Sequence, residues 1–238
     1  MAVTHLTIIL ESCFRPPDGT SWTAGDDVSE HYYSWGFTIY RTAYGPSTDA
    51  QWHTLLDKIR AQVASEIECY DAGEEEVVAK LKSLFVLDAC SDATLLADKT
   101  MHELREVHKR RNSSNDDDNN LPLMRDGPTE RAFLLADAEV LEGVDRDPYF
   151  WVKCVEADFT EEGLAEAARG ARSRAAFAAG VWTGWMKMTT RSVVDLCAEM
   201  PFRDLASIAP RTMVPSERPV YNGELTGSSL TSKMSSGR

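Results

Sequence analysis

Two carboxylates interrupt otherwise apolar, strand-like runs: Asp88 in FVLDAC and Asp137 in LLADAE. A carboxylate among apolar neighbours must be paired, sit at a strand end, or be desolvated. In the last case its pKa rises, and it can act as a general base near neutral pH. His31, in EHYYSW ahead of an aromatic run, is the histidine best placed to join a pocket. Arg41 between Tyr40 and Tyr44 brings a cation to two phenol rings, a combination that suits an anionic or aromatic ligand. Trp151 can shape an apolar wall beside them. Each of these residues also has a structural reading. Arg41 can pair with one of the aspartates, the rings can be core, and His31 can be a boundary residue.

Stronger signatures are missing. The sequence has no GxGxxG after a strand, no GxxxxGK[ST], no GxSxG, no HExxH and no EF-hand loop. Nothing therefore implies a nucleotide or any other cofactor. The five histidines include no i, i+4 pair, and the acidic run Asp116–Asp118 lacks the alternating spacing of a calcium loop. No metal site is expected. The cysteines, Cys13, Cys69, Cys90, Cys154 and Cys197, are odd in number and widely spaced, with no CxxC. They read as free thiols rather than a disulfide or zinc framework.

Lys and Arg number 25 against 38 Asp and Glu, which leaves −13 on 238 residues. The pI is about 4.8 and the mean hydropathy −0.33. With 43% hydrophobic and 26% charged residues this is a globular mixture, long enough for a core without staples. So acidic a chain, with no basic patch, repels phosphate backbones, and nucleic-acid binding is not expected. The apolar run Leu6–Leu10 is shorter than the roughly 7–15 residues of a signal-peptide core, and no stretch approaches the ~18 residues of a membrane span. These absences point to the cytoplasm.

The elements that must position the candidates follow from periodicity. Residues 1–32 read as an irregular N-terminal arm. Alternation over about Trp35–Thr42 puts Trp35, Phe37, Ile39 and Arg41 on one strand face and Thr38, Tyr40 and Thr42 on the other. Trp52, Leu55, Leu56, Ile59, Val63 and Ile67 form one helical stripe. A second strand is expected over Leu81–Cys90 and a helix over Asp92–Arg111. A strand hairpin follows, Arg131–Leu141 with Tyr149–Phe159, then an Ala-rich helix over Glu161–Ala179. A short strand over Trp182–Met188 and a helix over Thr190–Met200 complete the series. Residues 111–130 read as a polar loop, and 206–238 as an extended, largely disordered tail.

This order gives one α+β domain over 33–205, a mixed sheet with helices packed on one face. The nearest named pattern is a ferredoxin-like, split βαβ sandwich with C-terminal helical additions. Its second face would need a dimer partner or the C-terminal helices to cover it.

The run WGFTIYRTAYGPSTDAQWHTLLDKI, together with GWMKMTTRSVVDLC and the late RPVY, resembles a large family of uncharacterised proteins of filamentous (ascomycete) fungi. The resemblance spans roughly residues 30–205. It implies a fungal, intracellular source and carries no activity or site residue.

Two functions remain open. One is a non-enzymatic interaction module that forms a homodimer or docks a protein through a free sheet face. The other is a cofactor-independent enzyme or binder of an apolar or aromatic small molecule, similar in architecture to α/β-barrel proteins of secondary metabolism. In that case Asp88, Asp137 or His31 supplies the base, and Tyr40, Arg41, Tyr44 and Trp151 line the pocket.

Overall fold

The computed structural model describes residues 5–15, 31–69, 75–113, 128–146, 150–160, 182–210 and 220–223. The helix expected over Glu161–Ala179, most of the polar loop, and the tail beyond 223 lie outside them. The described chain is α+β, built on one six-stranded mixed sheet. Its strands are β1 (Trp35–Arg41), β2 (Phe85–Cys90), β3 (Ala132–Ala136), β4 (Trp151–Glu156), β5 (Trp185–Thr189) and β6 (Val220–Tyr221). They lie in the order β2-β1-β3-β4-β5-β6. β1 is parallel to both β2 and β3, β4 is antiparallel to β3 and β5, and β6 runs parallel to β5.

This order is not a split βαβ sandwich, in which the two parallel strands of the first unit straddle a third. Here β1 and β2 bond directly, from Trp35↔Phe85 to Tyr40↔Cys90. The sheet is also open, with β2 and β6 as its edges, and so is no barrel.

Helices line both faces, a second departure from the sequence reading. The first face carries α1 (His5–Cys13), α2 (Thr48–Cys69), α3 (Glu75–Leu84), α7 (Ala138–Arg146), α8 (Val193–Glu199) and α9 (Leu205–Ile208). The expected stripe of α2 is buried from Trp52 to Ile67, against Trp35, Phe37 and Ile39 of β1. Each such aliphatic side chain taken from water stabilises the fold by about 1.5–3 kcal/mol. The second face carries α4 (Ala93–Leu96) and α5 (Met101–Ser113), whose Leu96 and Leu104 pack on Tyr40, Phe133, Leu135 and Val155. The C-terminal helices thus join the first face, and the chain's own α4 and α5 cover β1 and β3 on the second.

Several boundaries moved for local reasons. α3 runs through Leu84, so strand β2 is only six residues; Val78 and Leu81 are buried one helical turn apart while Ala79 between them is exposed. The helix expected over Asp92–Arg111 is two, since Thr100 restarts it with a capping box. Glu103 N–H donates to Thr100 Oγ1 at 3.3 Å, and Thr100 N–H to Glu103 Oε2 at 2.9 Å. β3 stops at Ala136 because Asp137 caps α7, its Oδ1 accepting from Val140 N–H at 3.2 Å. β3 and β4 still pair as expected, but through a helix rather than a hairpin turn.

The N-terminal arm contains α1, with Leu6, Ile9 and Cys13 buried. The tail contributes β6, whose Tyr221 is fully buried. A short helix, α6 (Pro128–Arg131), leads into β3. Among the described residues no helix is long and apolar enough to cross a membrane.

Candidate functional site

Sheet register lays Cys90, Tyr40, Leu135, Lys153, Lys187 and Val220 side by side in one row across the second face. Two polar clusters occupy this row, one on either side of Leu135.

The first lies over β1 and β2, beneath the last turns of α5. Arg111 reaches from α5 to Asp88 Oδ2 at 2.8 Å and donates to Cys90 Sγ at 2.6 Å. Thr38 Oγ1 donates to the same Asp88 oxygen at 3.0 Å. Tyr40 and His108, both buried, share a hydrogen bond of 3.1 Å between Oη and Nδ1; Asn112 lies 3.2 Å from His108 Nε2. Phe133 packs against both rings, edge-on to Tyr40. Burial pushes the Cys90 thiol up to about 11, and the Asp88 carboxylate adds to the rise against the opposing pull of Arg111. Burial also lifts the Tyr40 phenol far above its ordinary range. At neutral pH the cluster therefore holds a protonated thiol, a neutral phenol and one ion pair. It contains no activated nucleophile.

The second cluster joins β3, β4 and β5 at the start of α7. Lys153 Nζ lies 2.6 Å from Asp137 Oδ2 and 2.6 Å from Glu139 Oε2; Lys187 Nζ lies 2.8 Å from Glu139 Oε1. Each ammonium also sits over an indole. Lys187 is 4.1 Å from the centroid of the Trp151 ring, and Lys153 is 5.2 Å from that of Trp185. The two lysines outweigh the desolvation of Glu139 and hold its carboxyl below the ordinary value.

The expected site residues are thus divided. Asp88 and Tyr40 meet in the first cluster, Asp137 and Trp151 in the second, and strand β1 separates Asp88 from Asp137. Arg41 joins neither aspartate. It is buried at the end of β1, bonded to Ala43 O at 3.0 Å, Thr48 Oγ1 at 2.7 Å and Asp49 Oδ1 at 2.6 Å, with the Tyr44 ring against its guanidinium. Burial raises the Tyr44 phenol, partly offset by Arg41. His31 stands ahead of β1, at the opposite end of the parallel strands from Asp137, where its carbonyl accepts from Arg15 N–H at 2.9 Å.

Sequence reading passed over Cys90 as a partner, and over His108, Arg111, Glu139, Lys153 and Lys187. A signal for the lysines exists: W-x-K occurs twice, as Trp151-Val152-Lys153 and Trp185-Met186-Lys187. In a strand that spacing puts each Trp and Lys on one face. All five cysteines are free. Among the described residues no group of three or more His, Cys, Asp or Glu is arranged to hold a metal ion.

Compared with family models, with curated proteins and with solved structures, the chain finds no significant match in any of the three.

Proposed function

We propose that the chain is a non-enzymatic, intracellular interaction module that pairs with a second copy of itself through the outer edge of β2. The observation that carries this reading is the edge itself. β2 bonds to β1 alone among the described strands, and Ala89 is exposed on it. Natural edges are blunted by proline, lysine or an outward charge. FVLDAC has no proline or lysine, and its single charge, Asp88, is engaged by Arg111 of the same chain. A second β2 laid antiparallel across a two-fold axis would satisfy the outward N–H and C=O groups of both strands. The charged candidates for catalysis support the same reading. Asp88, Asp137 and Arg41 are each neutralised by an internal partner, which leaves neither Asp88 nor Asp137 poised as a base.

Because each copy carries −13, pairing works against charge repulsion and strengthens with salt. Sedimentation velocity should show a species of twice the 26.5 kDa chain mass that grows between low and moderate salt. Ala89→Lys, which adds an edge charge at an exposed position, should return it to monomer with an unchanged circular dichroism spectrum. A wild-type chain that stays monomeric at every concentration and salt level sinks the proposal.

A further inference from the structure

We infer that Lys153 and Lys187 form a binding site for a small organic monocarboxylate, whose place is held by the chain's own Glu139. This site is independent of the β2 edge and stands or falls without it.

The geometry is that of carboxylate recognition. The two oxygens of Glu139 are divided between two cations, Oε2 to Lys153 and Oε1 to Lys187, at 2.6 and 2.8 Å. Such charge-assisted bonds are roughly twice as strong as neutral ones. Each cation has a second contact besides Glu139. Lys153 is also bonded to Asp137, which α7 holds in turn through the Val140 N–H, and both ammonium groups rest on indole faces. Removing the Glu139 carboxylate would leave these other contacts in place.

Exposure shows which member is replaceable. The Lys153 and Lys187 side chains are 8% and 23% exposed, whereas Glu139 is 51% exposed and lies in the first turn of α7. A half-exposed glutamate that rotates into water has its carboxylate solvated there, and its stem gains rotamer freedom. The buried lysine cannot leave so readily.

Charge selects the ligand class. Two lysines against Asp137 and Glu139 sum to zero, and departure of Glu139 leaves +1. One carboxylate restores neutrality, whereas a phosphate dianion overshoots. The first turn of α7 adds the positive end of a helix dipole. Trp151 and Trp185, both half-buried, carry the two ammonium groups on their rings, so an organic acid bound between the lysines would lie close to apolar surface.

Sodium acetate is the probe, titrated at constant ionic strength with chloride as balance and followed by calorimetry and tryptophan fluorescence. Glu139→Ala should saturate with one acetate per chain. The wild type should saturate at a concentration on the order of tenfold higher, because its tethered carboxylate competes. Adding Lys187→Met to Glu139→Ala should abolish saturation. Should Glu139→Ala fail to fold by circular dichroism, Glu139→Gln keeps the size and removes the charge, and the same curves are expected of it. A linear response in the Glu139 variant or in the wild type overturns the inference. Equal curves with and without Lys187, or for wild type and variant, overturn it as well.

Discussion

Asp88 shows how one side chain can satisfy a sequence expectation in an unexpected way. Its strand is apolar, so a partner had to exist, but that partner is Arg111, on a helix that crosses the second face, and not Arg41. The pair governs Cys90. Burial comes first in lifting that thiol to about 11, and the Asp88 charge raises it further, so Asp88→Asn should lower it. Each unit of fall multiplies the thiolate present at pH 8 by about ten. Iodoacetamide labelling of Cys90, read by peptide mass spectrometry with exposed Cys69 as internal reference, should accelerate in the variant; an unchanged rate would mean that Asp88 does not control the thiol. The same variant should cost about 1–2 kcal/mol in urea unfolding, as Arg111 loses a charged partner. Asp137 is tied more closely still. One oxygen caps α7 and the other pairs with Lys153, which leaves it a positioning role for that lysine.

At the scale of the element, Gly36 matters more than any residue singled out for chemistry. Its φ of +134° is one that L side chains rarely adopt, and a Cβ there would lie 2.0 Å from Val86 O across the β1–β2 ladder. Backbone cannot withdraw as a side-chain tip can. Gly36→Ala should therefore destabilise the protein by about 3 kcal/mol or more, measured by urea unfolding, with loss concentrated in amide-exchange protection of β2. A loss below about 1 kcal/mol would show that the ladder can shift to make room. The signal was present in the strand WGFTIYR, where a glycine among aromatic and β-branched residues marks a close approach of backbone. Element ends were harder to read than element types. LKSLFVLDAC is apolar enough to pass for one long strand, and the exchange of helix for strand at Leu84 follows from packing against α1 and α2.

For the whole molecule, burial of thiols should lower stability on the alkaline side. Cys13 and Cys154 are raised to about 12 by desolvation, whereas free thiols titrate near 8.5 in an unfolded chain. Above that value the unfolded state has released protons that the folded state still holds. Stability is therefore complete below about pH 8.5 and falls as pH rises towards 12, by about 1.4 kcal/mol per pH unit for each thiol. Urea midpoints between pH 8 and 11 should decline, and Cys154→Ala should flatten the slope; an equal slope in the variant would remove Cys154 from the account. What the amino-acid sequence determined alone was local and periodic. The α2 stripe and the two faces of β1 follow from 3.6- and 2-residue repeats, which hold wherever one side of an element meets a core. Strand order, the helices on both faces and the pairing of Lys153 and Lys187 around Glu139 were decided only by tertiary structure. Partners 14 and 48 residues from Glu139 meet because β4 lies beside β3 and β5 beside β4, and sheet register is set by the packing of the whole chain, which no local pattern encodes.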